Sequence, residues 1–206
     1  MVMEFLKMRT GIITLLLLFT ISVTAQVDPS QIFADSYRHE SSGDYEKAIG
    51  ELNSLNGYDY HKSLRLGWLY YLSKDYETSK KYYQQAVAKE PRAVEALLGL
   101  CYPLEAERNS EELEKVYKQI LSLDKMNSKI NYALGNIYYY RKDFLQAEIY
   151  FDKVQQMYPF DYYSTLMCGW TKYFLGKKNE AKKLFNNVLI IAPGDQSAKD
   201  GLNLLK

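Results

Sequence analysis

Residues 134–144 read LGNIYYYRKDF, and residues 66–76 read LGWLYYLSKDY. Both carry Leu-Gly, a Tyr-Tyr pair and a Lys-Asp-aromatic turn, offset by 68 residues, which is twice 34. A fixed period of this length is the mark of a repeat array, in which each unit buries its apolar face only against its neighbours. Three adjacent tyrosines, Tyr138 to Tyr140, then need an explanation, because one helix cannot turn all three toward a core.

The segment 60–91 shows what one unit is. Leu64, Leu66, Trp68, Leu69 and Tyr70 recur at helical spacing, so this stretch is predicted to be a helix with a buried stripe. Asp75 is a good N-cap for a second helix, on which Ser79, Tyr83, Ala86 and Val87 keep the rhythm until Pro91. The segments 128–159 and 162–193 repeat the design, with Gly135 and Gly169, Ala147 and Ala181, Phe151 and Phe185, Pro159 and Pro193 in step.

This pattern of Leu-Gly, Tyr, an Asp-aromatic turn, Ala, an aromatic and a closing Pro resembles the tetratricopeptide repeat over roughly residues 29–193. The resemblance implies an all-α solenoid of about five helical hairpins with a C-terminal capping helix. The expected repeats are 29–59, 60–91, 92–127, 128–161 and 162–195, with the cap at 196–206 and Leu202 and Leu205 facing inward. The glycines and alanines are small so that helices can approach, while Tyr83 and Phe151 fill the space between hairpins. Two units depart from the pattern. The first has Asp35-Ser36 in place of Leu-Gly, and its following turn is about three residues short. In the third, taking Gly99 as the repeat glycine leaves two extra residues, and Pro103 falls inside the first helix. The helix is therefore expected to end or kink near Tyr102, with a longer loop around residues 105–109.

Lys7 and Arg9, the apolar run 11–23 and the small residues Val23 and Ala25 read as an export signal over residues 1–25, leaving 26–206 as the solenoid. The run is short for a membrane span, so no span is expected after cleavage; the alternative is an uncleaved anchor in an inner membrane. A bacterial periplasm is the expected location. With 24 basic and 24 acidic residues remaining, the chain lacks the basic face of a nucleic-acid binder. Cys101 and Cys168 fall two repeats apart, about 20 Å at ordinary helix spacing. A disulfide needs roughly 7 Å, so free buried thiols are expected.

Two histidines, no Cys-x2-Cys and no phosphate-cradling loop give catalysis or a bound cofactor little to work with. Binding has more. In tetratricopeptide arrays the first helices line the concave face, and by that geometry the candidate partner-binding residues are Tyr37, Trp68, Tyr71, Tyr132, Asn136, Tyr139, Trp170 and Tyr173, with Phe33, Leu64 and Leu166 beside them. Steps of about 100° per residue put Tyr138 in the packing, Tyr139 in the groove and Tyr140 at the rim. The family's clamp for acidic C-terminal peptides is not matched: Asn136 fits, but Tyr132 stands where its Lys would be. The expected function is a non-enzymatic scaffold that holds a protein or peptide in an aromatic groove. The alternatives are a structural subunit of an envelope assembly, joined by its convex face or ends, and a glycan or peptidoglycan binder.

Overall fold

The computed structural model describes residues 28–206, and the export signal expected at residues 1–25 lies outside them. The described chain folds into five helical hairpins and a final single helix. The hairpins are α1 (Pro29–Ser41) with α2 (Tyr45–Asn53), α3 (Asp59–Leu72) with α4 (Tyr76–Lys89), and α5 (Val94–Ala106) with α6 (Ser110–Leu123). They continue with α7 (Ser128–Tyr140) and α8 (Phe144–Met157), then α9 (Tyr162–Phe174) and α10 (Lys178–Ile191), and α11 (Gln196–Leu204) closes the stack. The architecture is an all-α solenoid.

The 34-residue step holds without interruption from α3 to α10. The turn inside each hairpin passes through one left-handed residue: Lys74, Arg108, Lys142 and Gly176, with φ of 66°, 56°, 62° and 73°. The next residue caps the second helix. The side chains of Asp75, Asn109 and Asp143 each accept from a backbone N–H three residues on, at 3.1, 3.2 and 3.1 Å. Lys177 has no acceptor to offer at the fourth such position, and that helix starts without a side-chain cap.

That register corrects the reading of the third repeat. Cys101, not Gly99, stands 34 residues after Gly67, so no residues are inserted. Helix α5 runs through Pro103 to Ala106, and the turn after it matches its neighbours. Pro103 removes one donor toward Gly99, but it lies within the last turn, where few further rungs remain to be lost. The first repeat is corrected as well: its missing residues come out of α2, which has 9 residues against 14 in α4, rather than out of the turn that follows.

Packing follows the small residues. A Cβ on Gly67 would lie 2.9 Å from the Tyr83 ring, and one on Gly99 only 2.1 Å from it, so Tyr83 is wedged between its own first helix and the next. Phe185 is held in the same way by Gly169 and Gly201, while Phe151 packs on Gly135. Ala48, Ala147 and Ala181 are fully buried opposite. In α11, Ala198 and Gly201 are buried, and Leu202 and Leu205 pack inward on the Phe185 cluster as expected. Cys101 and Cys168 are buried free thiols. Burial pushes the Cys101 thiol up to about 12, and Cys168 is also raised, first by burial and then by Asp152.

Candidate partner-binding groove

The first helices present their aromatic residues as two ring clusters. Toward the N-terminal side, Trp68 and Tyr71 on α3 meet Tyr102 on α5 at centroid separations of 5.6 and 5.3 Å, and Tyr76 joins Tyr71 at 5.8 Å. Toward the C-terminal side, Tyr139 on α7 meets Phe144 and Phe174, which stack on each other at 4.5 Å. No ring pair joins the two clusters among the described residues.

The eight predicted residues therefore divide by environment. Tyr37 is exposed, and the Arg65 guanidinium lies 3.8 Å above its ring centroid. Trp68 is half-buried and its Nε1 donates to Glu40 Oε1 at 2.7 Å. Tyr71 and Tyr139 are half-buried members of the two clusters. Tyr132 packs against Phe151 at 5.8 Å, and Asn136 stands one turn further along the same helix. Trp170 is half-buried between the cap and the C-terminal cluster: its Nε1 donates to Ser197 Oγ at 2.8 Å, and its ring lies 5.0 Å from Phe185 and 6.2 Å from Phe174. Tyr173 packs beside it, in the cluster that seats α11. A cap must bury its apolar face somewhere, and these two rings provide the surface. Burial raises the hydroxyl pKa of Tyr132 and Tyr139, so these two phenols stay neutral donors.

The three adjacent tyrosines take three roles. Tyr138 stacks flat on Tyr150 and donates its hydroxyl to Glu114 at 2.9 Å; Tyr70 and Tyr82 form the equivalent stack two repeats earlier. Tyr139 joins the groove cluster, and Tyr140 is 77% exposed at the end of α7.

Sequence reasoning missed Tyr102, Phe144, Phe174 and Arg65. Tyr102 stands 34 residues after Trp68 and was hidden by the wrong register of its repeat. Arg65 had a visible signal, a lone cation inside the apolar run 64–72, and the structure buries it to 6% exposure. It closes an ion pair with Glu40 from α1. Between α1 and α3 a cavity of about 730 Å³ opens, lined by Phe33, Tyr37, Leu64, Arg65 and Trp68 among others. Among the described residues no group of three or more His, Cys, Asp and Glu could hold a metal, and no helix is long and apolar enough to cross a membrane.

The profile of the tetratricopeptide repeat matches residues 63–93 and again 128–161. No curated protein matches the chain significantly. Among solved structures, it superposes on a tetratricopeptide repeat protein from Parabacteroides merdae with a TM-score of 0.69 at 18% identity, covering 85% of this chain and 71% of that one. It is similar to MamA, with a TM-score of 0.66 at 17% identity over 79% of this chain and 90% of that one. It is also similar to YrrB, described as a TPR protein with an unusual peptide-binding site, with a TM-score of 0.66 at 13% identity over 85% of this chain and 92% of that one. The repeat matches, the unbroken 34-residue turn register and the solenoid identify the chain as a tetratricopeptide repeat protein.

Proposed function

We propose that this protein is a non-enzymatic scaffold, exported to a bacterial periplasm, that holds a peptide or protein segment along its first-helix face. The observation that carries this reading is the Trp68–Tyr71–Tyr102 cluster, which spans two repeats and leaves each ring only partly covered. Rigid aromatic rings on a fixed scaffold give contact area at little entropic cost, the usual composition of an interaction hot spot. Similarity to YrrB, a peptide-binding member of the same fold, supports the same class of ligand. The test is a crosslinking capture from envelope preparations with C-terminally tagged full chain, set against a Trp68→Ala/Tyr139→Ala variant. Circular dichroism melts establish that both are folded. A partner captured by the parent and lost by the folded variant supports the groove; equal capture overturns it.

A second reading rests on a different observation. Leu145 and Ile149 on α8 and Ile190 on α10 are 65%, 49% and 69% exposed. Apolar residues on second helices suit contacts within a larger assembly, and equal capture by both variants would favour that face.

A further inference from the structure

All the first helices start at one edge of the solenoid. Asp28 and Pro29, at the start of α1, line a cavity together with Tyr58, the residue before α3. The Tyr60 hydroxyl donates from the start of α3 to Glu95 at the start of α5. Further on, Ser128 and Lys129 of α7 share a cavity of about 360 Å³ with Tyr158, Asp161 and Tyr163. Tyr162 then reaches from α9 to Asp195, the cap of α11. This edge carries Tyr58, Met126, Tyr158, Phe160 and Tyr163, each more than half exposed. Packing does not require large apolar side chains in such turns, and a row of them marks a contact surface. The opposite edge is built otherwise, because its turns pass through Lys74, Arg108 and Lys142 and present charge.

The chain enters α1 from that same edge. In the sequence, only residues 24–27 separate the apolar run 11–23 from Asp28, a reach of at most about 18 Å. Where that run is kept rather than cleaved and enters a bilayer, it brings this edge, and not the other, to the headgroups. We propose that the edge formed by the first-helix starts rests on a lipid surface, with Tyr58, Tyr158, Phe160 and Tyr163 among the headgroups and the run 11–23 retained as the anchor beside them. Phenol rings suit that depth, since the ring enters the apolar boundary while the hydroxyl stays wet. A few side chains alone hold a bilayer marginally, and a second signal is what makes such an attachment stable. Charge permits the contact. Asp161 and Asp195 are engaged as helix caps and Asp59 by Lys89, while Arg92, Lys125 and Lys129 stand exposed without an ion pair among the described residues, against Glu90. With this edge down, the first helices stand on the lipid and their ring clusters stay open to the side. The proposal thus adds an orientation to the scaffold and does not depend on what the groove holds.

The test reads depth at one edge against the other. The full chain is reconstituted into vesicles of phosphatidylethanolamine and phosphatidylglycerol, with and without brominated acyl chains, which quench a nearby indole. Phe160→Trp and, separately, Tyr163→Trp place a reporter on the proposed edge, and Tyr140→Trp places one on the opposite edge at a comparably exposed aromatic. Emission from Trp68 and Trp170 is measured on the unaltered chain and subtracted. Brominated lipid should remove most of the added emission of Phe160→Trp and Tyr163→Trp and leave that of Tyr140→Trp intact. Circular dichroism establishes that each variant is folded, and should one edge variant fail, the other still decides. Equal loss at both edges, or no loss at either reporter of the proposed edge, overturns the proposal. So does a photoreactive group in place of Phe160 that labels a protein rather than lipid in native envelopes, since a partner chain would then cover this edge. The envelope capture with Trp68→Ala/Tyr139→Ala tests the groove separately, so either reading can fail alone.

Discussion

Where α4 meets α5, the Tyr83 ring enters a slot that Gly67 and Gly99 leave open; where α6 meets α7, the corresponding places around Tyr117 hold Cys101 and Ala133. The first pair of helices stays in close contact along its length, and the second meets at few points. The second junction is held at its edge by polar contacts instead. Glu114 on α6 takes the hydroxyl of Tyr138 from α7, pairs with Arg141 just past the end of α7, and pairs with Lys118 on its own helix. One sequence period thus builds two kinds of joint. A missing side chain makes a rigid apolar one, and a present side chain leaves a looser one that charges must finish.

The largest effect should come from closing the slot. Gly99→Ala puts a Cβ where the Tyr83 ring now lies, and overpacking of this severity costs about 3 kcal/mol. A chain of this size should then melt roughly 6–12 °C lower by circular dichroism. Ala133→Gly, at the equivalent position of the loose joint, should cost only about 1 kcal/mol, the helix-propensity difference. Equal losses would break the comparison.

Next comes acid. Hydrogen bonds from Lys118, and then from Arg141 and Tyr138, hold the Glu114 carboxyl at about 2 against its ordinary 4.5. A folded pKa below the unfolded one means the stabilisation is present above pH 4.5 and drains away as pH falls toward 2. With partly exposed cations as partners, its size is on the order of 1–2 kcal/mol. Glu114→Gln should therefore flatten the fall of the melting temperature across that window. A variant that tracks the parent throughout would show that the joint does not depend on this carboxylate.

The two thiols sharpen the comparison further, since Cys101 lies before the loose joint and Cys168 after it. Both are buried and raised in pKa, so native protein should alkylate hardly at all at neutral pH. Along a denaturant ramp followed by mass spectrometry, one thiol should label before the other if the halves part at α6/α7. Simultaneous labelling would mean that the solenoid opens as one unit. The smallest effect is expected at Tyr140: with 77% of its surface exposed, Tyr140→Ala should move stability by no more than about 0.5 kcal/mol.

Helices, turns and caps were largely legible because they depend on neighbours in sequence. The Asp75 cap, the closing Pro91 and the small Ala147 could each be read from local chemistry. The misreadings had local causes too. Gly99 looked like the repeat glycine, while the true counterpart of Gly67 is Cys101, and a buried cysteine does not resemble a glycine by composition. Pro103 looked like a break because its cost was weighed without knowing that α5 ends three residues later. Among the candidate residues, Trp68, Tyr71, Tyr139, Trp170 and Tyr173 all meet other rings, and that Trp170 also meets the cap is a contact no first-helix pattern encodes.

The sequence by itself determined the repeat, its 34-residue step and the all-α solenoid, because hydrophobic period, turn conformation and capping act over a few residues. Only the tertiary structure decided which rings stay partly open and which become packing, and that Arg65 is buried beside a cavity and paired with Glu40. Those outcomes depend on how closely two helices distant in the chain can approach, and that distance is set by side-chain volume on both at once.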